Sequence, residues 1–171
     1  MSFFPSQIIK WITWEEISHV ALMFPEERGV VWEAWNEGGV RTTASLSDQH
    51  TAGTEVVVKY IDVSQGQYDR ILQAVVSQKG KPYDWKGCLR FSPVFRLFMS
   101  SVPDYEVQDR WFCSCLLSWC LRQGFIVLQD EAPNKMSPGN VMESPVPKYV
   151  DTFFCGVSDY AELLKKVRDA R

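Results

Sequence analysis

"SHVALMFPEERGVVWEAW", residues 18–35, is two β-rich runs joined by a turn. "SHVALMF" at 18–24 and "VVWEAW" at 30–35 are rich in β-branched and aromatic residues, which fit a pleated, half-buried surface. Between them "PEERG" at 25–29 carries turn chemistry, proline fixing φ and glycine tolerating a positive one. The stretch predicts an antiparallel hairpin. Setting Phe24 opposite Val30 puts His19 opposite Trp35 and Ala21 opposite Glu33. His19 and Glu33 are then diagonal neighbours on one face, and a slip of one residue would send them to opposite faces.

Outward from the hairpin, Ser6 caps a short helix through about Trp14, with Ile8, Ile9 and Ile12 on one side. Residues 36–53 are polar and contain glycine, and read as a loop. "TEVVVKYIDV" at 54–63 reads as a third strand. Ser64 and Gln67 form a capping box before an amphipathic helix bearing Tyr68, Ile71, Leu72, Val75 and Val76, ended by Gly80. "GKPYDWKG" at 80–87 is turn-rich, and "VFRLFMS" at 94–100 suggests a short helix. Residues 112–123 are the clearest helix of the second half, with Gly124 as its stop. "FIVL" at 125–128 suggests a short strand, Ser137–Pro138 a helix start, and "KYVDTFF" at 148–154 another strand. Ser158 is expected to cap a last helix, with Lys165, Lys166 and Arg168 near its C-terminal end. Early strands with interspersed helices predict an α+β fold with a mainly antiparallel sheet.

The 171 residues, 46% hydrophobic and 23% charged, suit one globular domain spanning 1–171. Eighteen Lys and Arg against 21 Asp and Glu give a net charge of −3 with no basic block, which argues against a nucleic-acid partner. No apolar run approaches the roughly 18 residues of a membrane span. The start "MSFFPSQIIKWITWEE" lacks the basic front and small-residue cleavage site of a signal peptide. Five cysteines, an odd number, without an export signal are expected to be reduced thiols of a cytoplasmic protein.

No phosphate-binding loop, dinucleotide fingerprint, serine elbow or zinc-protease motif occurs, and "CSCLLSWC" lacks paired zinc spacing, so no metal or cofactor is expected. Cys113 opens the 112–123 helix, where unpaired N–H groups and the helix dipole favour thiolate. By helix position alone the favoured reading is a buried structural thiol. Cys115 and Cys120 lie deeper in the helix and read as core. Of the two histidines, His50 reads as a solvated loop residue. His19 gains a candidate role as base only through Glu33, a carboxylate that could orient it. Glu33 reads otherwise as a solvated strand carboxylate.

Taken together, "SHVALMF", "VVWEAWNEGGVR", "GKPYDWKG" and "RWFCSCLLSWCLRQGF" resemble the YiiX-like family of circularly permuted papain-fold proteins, relatives of NlpC-type peptidases and of lecithin:retinol acyltransferase. The similarity covers about residues 6–143. It implies a permuted papain-like α+β fold with the nucleophile helix packed on an antiparallel sheet. It also implies a cysteine hydrolase of the amidase or peptidase kind, working through an acyl-thioester. Cys113 matches the family's nucleophile, His19 its base and Glu33 its orienting acid. Tyr83 in "PYDW" resembles a tyrosine that helps hold substrate or oxyanion, and reads otherwise as a loop aromatic packed on the core. Cys115 departs from the family, which often has an acidic residue there. The resemblance implies a peptide or peptidoglycan-fragment substrate, with an acyl-lipid substrate as the acyltransferase or thioesterase alternative. A non-catalytic lipid- or peptide-binding module on the same fold is the further alternative, since the seven tryptophans could build an apolar groove.

Overall fold

The computed structural model describes residues 17–27, 29–44, 50–89, 91, 109–158 and 160–169. Alternating side chains bring the hairpin into the expected register. Strand β1 (Leu22–Phe24) pairs antiparallel with β2 (Val30–Trp35), matching Phe24 to Val30, Met23 to Val31 and Leu22 to Trp32. A one-turn 3-10 segment, Pro25–Glu27, leads into Gly29, whose φ of 74° suits glycine and whose N–H donates to the Phe24 carbonyl. The paired strand is shorter than the predicted 18–24, because residues 18–21 run on without ladder bonds.

Residues 36–53 are not wholly loop. Strand β3 (Gly39–Thr43) adds to β2 in antiparallel register, with Glu33 opposite Arg41 and Trp35 opposite Gly39. The turn is built on Gly38 and Gly39, with φ of 87° and 68°. At Gly39 the glycine is required twice: a Cβ there would lie 2.0 Å from the Lys81 carbonyl oxygen. That oxygen accepts the Val40 N–H at 2.8 Å, and the Gly80 N–H donates to the Val40 carbonyl, so the chain at 80–81 is stitched against the start of β3.

A second sheet joins β4 (Glu55–Tyr60) to β5 (Lys148–Phe154), antiparallel with a register shift between Val58 and Lys59. The expected antiparallel sheet is therefore two small sheets, of three and two strands. Helix α1 (Gln65–Ser77) has the predicted capping box, Ser64 Oγ accepting from the Gln67 N–H while the Gln67 side chain reaches back to the Ser64 N–H. After α2 (Trp85–Leu89) comes α3 (Cys113–Gln123), whose Leu116, Leu117 and Leu121 pack with Ile71 and Val75 of α1, Trp111 and Phe112 in the larger core cluster. Burying each such side chain contributes about 1.5–3 kcal/mol.

Helix α3 ends differently from the expected glycine stop. Gly124 keeps a negative φ of −86°, and Phe125 takes the left-handed position with φ of 61°. The Ile126 N–H donates to the Leu121 carbonyl and the Phe125 N–H to the Arg122 carbonyl, a Schellman cap with phenylalanine where glycine is usual. Gly124 serves packing instead: a Cβ there would lie 2.7 Å from Ile71. These capping bonds use the N–H groups a strand would need, so "FIVL" forms none.

Helix α4 (Pro138–Glu143) starts at Ser137 with a second capping box, through Asn140. Helix α5 (Tyr160–Asp169) packs Leu163 and Val167 with Val31, Val58 and Phe153 in a smaller cluster. Ser158 precedes it by two residues, and its hydroxyl accepts the Phe154 N–H. The predicted helices at 6–14 and 94–100 lie outside the described residues. The chain is thus mixed α+β, with five α-helices among the described residues, none long and apolar enough to cross a membrane.

Candidate active site

Helix α3 lies against β2, and this contact unites residues from opposite halves of the chain. Cys113 is the first residue of α3, where its own N–H has no intrahelical acceptor. His19 stands on the segment entering β1, and Glu33 is central in β2. The Cys113 thiol and the His19 imidazole are hydrogen-bonded to each other. His19 Nε2 meets Glu33 Oε2 at 2.8 Å, which leaves Nδ1 for the sulfur. The Glu33 side chain is fully buried and that of His19 is 19% exposed. The diagonal placement expected from the register is therefore realised, although the ladder bonds stop at Leu22.

The electrostatics follow from this enclosure. Burial disfavours the charged form of His19, but its hydrogen bonds to Cys113 and Glu33 and their negative charges outweigh that, and it is pushed up to about 10. Burial likewise opposes ionising Cys113. The hydrogen bond and positive charge of His19, with the N–H groups of Val20 and Ser114 aimed at the sulfur, hold the thiol below its usual range. Burial also opposes a charged Glu33, yet His19 and Arg41 keep it below the ordinary carboxylate value. Both shifts favour the thiolate–imidazolium form of the pair.

The other cysteines lack these partners. Burial pushes Cys88 up to about 12 and also raises Cys120 and Cys155. None of the five cysteines is in a disulfide, and all are buried. Cys115 is fully enclosed in the larger core cluster.

Tyr83 is buried, bridges to Trp111 and shares a hydrogen bond with the Cys88 thiol. Burial and the negative charge of Cys113 raise its hydroxyl, so it stays an O–H donor beside the sulfur.

Two residues enter that sequence reading missed. Arg41 Nε and Nη2 donate to Glu33 Oε1 at 3.0 and 2.9 Å, and its guanidinium lies 4.8 Å from the Trp35 ring centre. The signal was the glycine pair at 38–39, which announces a hairpin and with it Arg41 opposite Glu33. His50 is no solvated loop residue. Its ring is half-buried, 6.1 Å from that of His19 and 5.4 Å from that of Trp35, and burial with the neighbouring His19 charge lowers it.

His19, Trp35, His50 and Tyr83 line a cavity of about 650 Å³. It continues between the two core clusters past Val31, Val58, Ile71, Leu117, Leu121 and Val141. Among the described residues no cluster of three or more His, Cys, Asp or Glu is arranged to hold a metal ion. Comparison with family models and with curated proteins returned no match.

Proposed function

We propose that the protein is a thiol-dependent acyl hydrolase or acyltransferase on a permuted papain-like fold, with Cys113 as nucleophile, His19 as acid and base, and Glu33 as orienter. The observation that carries this reading is the row Cys113–His19–Glu33. It combines a thiol at a helix start, hydrogen-bonded to an imidazole whose other nitrogen is held by a buried carboxylate.

The Cys113 thiolate attacks the acyl carbon of an amide, ester or thioester. The carbonyl π electrons move to oxygen, and the Cys113 N–H donates to the developing oxyanion. Tyr83 adds a second donor. Collapse reforms the carbonyl and breaks the bond to the leaving group, which takes a proton from His19. Neutral His19 then accepts a proton from water or another acceptor as that oxygen attacks the thioester. The C–S bond breaks and the thiolate–imidazolium pair returns. Glu33 holds the ring in place and stabilises its charged form.

The four motifs in permuted order support amide substrates, including cell-wall peptides. The cavity supports the second reading, an acyl-lipid substrate. Its size falls in the range of small-molecule sites, and many of its lining side chains are aliphatic. The test is intact-mass analysis after incubation with p-nitrophenyl acetate and p-nitrophenyl octanoate. The expected result is an acyl adduct on Cys113, absent in Cys113→Ala, with octanoate transferred faster if the cavity takes the chain. Ester turnover equal in wild type and Cys113→Ala overturns the proposal.

A further inference from the structure

Glu33 is the one charged side chain in the buried set among the described residues, and it is gripped from two sides. One oxygen meets His19, and the other receives both donors of the Arg41 fork. Both donors converge on that one oxygen as charge-assisted hydrogen bonds, which leaves the second oxygen wholly to His19. Arg41 is held in turn by Trp35, whose ring also takes the edges of His19 and His50. Thiol, imidazole, carboxylate and guanidinium thus stand in a row, and when the first two form an ion pair its signs alternate and balance only with the fourth group counted.

We propose that Arg41 is a positioning residue of this site: it fixes Glu33 where it meets His19 and supplies the positive charge that balances the buried row. This rests on the thiol-enzyme reading above. The other titratable groups facing the row offer no substitute. His50, beside His19, is held toward its neutral form, and Tyr83 and Cys88, which interact with Cys113, are held protonated. Asp84, near Cys88, would add negative charge.

The charge role has a signature that a merely structural role lacks. Removing a cation favours every protonated form around it, so the point at which Cys113 ionises moves to higher pH. Loss of packing alone has no such required direction.

The test uses the full chain as wild type, Arg41→Gln and Arg41→Lys. Cys113 alkylation by iodoacetamide is followed from about pH 4 to 9 by peptide mass, and solvent exchange of the His19 Nε2 proton by NMR. In Arg41→Gln the acid limb is expected to rise by about half a pH unit or more, a threefold or greater loss of labelling on that limb. In Arg41→Lys the limb stays in place, because the charge remains. The His19 proton exchanges about threefold or more faster in both variants, because neither offers the planar fork. An unmoved limb in folded Arg41→Gln overturns the charge role, and unchanged proton exchange in Arg41→Lys overturns the positioning role. If Arg41→Gln does not fold, the Arg41→Lys exchange rate alone decides. A wild-type Cys113 that ionises no earlier than an ordinary thiol defeats instead the thiol-enzyme reading beneath the inference.

Discussion

Replacing Glu33 by alanine tests whether the buried row exists in solution. The substitution removes one hydrogen bond from His19 and two from Arg41, all at 2.8–3.0 Å. Breaking a fully buried ion pair costs about 3–5 kcal/mol, because the partner is stranded in a poor solvent. Here the stranded partners are less enclosed: the His19 and Arg41 side chains are 19% and 24% exposed and regain some water. The low end of that range, about 3 kcal/mol, is therefore expected. For a chain of this length it corresponds to a fall of about 6–12 °C in Tm. The gap between wild type and variant also carries a pH sign. Glu33 is held below its usual value in the folded state, so it stabilises the fold above the unfolded value of about 4.3. That contribution disappears as pH falls through the folded value. Urea unfolding at pH 7 and at successively lower pH reads both effects. A loss under about 1 kcal/mol at pH 7, the size of a surface pair, would refute the reasoning.

Two further outcomes are expected, one at the thiol and one at the turn before β3. His19→Ala is expected to slow iodoacetamide labelling of Cys113 at pH 6 more than tenfold: an ordinary thiol is about 0.3% thiolate there, and its higher nucleophilicity recovers only part of the loss. The alanine opens space beside the sulfur, so a steric effect would run the other way; Cys115→Ser should leave the rate unchanged, and peptide mass spectrometry reads both. Gly39→Ala should cost about 3 kcal/mol, from left-handed strain plus displacement of the Lys81 carbonyl, whereas Gly38→Ala, with open space around it, should cost only the strain of about 1–2 kcal/mol. Equal losses of Tm at the two positions would show that the contact between Gly39 and Lys81 is not formed.

Sequence showed most where periodicity and turn chemistry act locally. The Phe24–Val30 pairing supposed from the turn at "PEERG" is the one formed, and the Ser64–Gln67 capping box and the Ser137–Pro138 helix start were legible from local spacing. What escaped reading was set by tertiary contact. Residues 39–43 look polar because Arg41, Thr42 and Thr43 face a carboxylate, solvent and a neighbouring strand rather than a uniform core, so β3 has no apolar alternation to announce it. "FIVL" has strand composition, but the cap of α3 had already claimed its first N–H groups. The meeting of Cys113 with His19 could be anticipated only by joining motifs far apart in the chain, since no local signal links a helix start to a distant hairpin.

That separation has a consequence for how the protein is made. The Cys113 thiol is lowered only through His19, Val20 and the start of its own helix, and the first two lie 94 and 93 residues away in sequence. In an unfolded or emerging chain it is an ordinary thiol, almost wholly protonated at pH 6. Nucleophilicity is thus acquired at the moment the two halves dock, when the loop-closure entropy between them has been overcome. On the thiol-enzyme reading, a newly synthesised chain passes through its most exposed state with its nucleophile still dormant, and the onset of low-pH labelling marks completion of the native state.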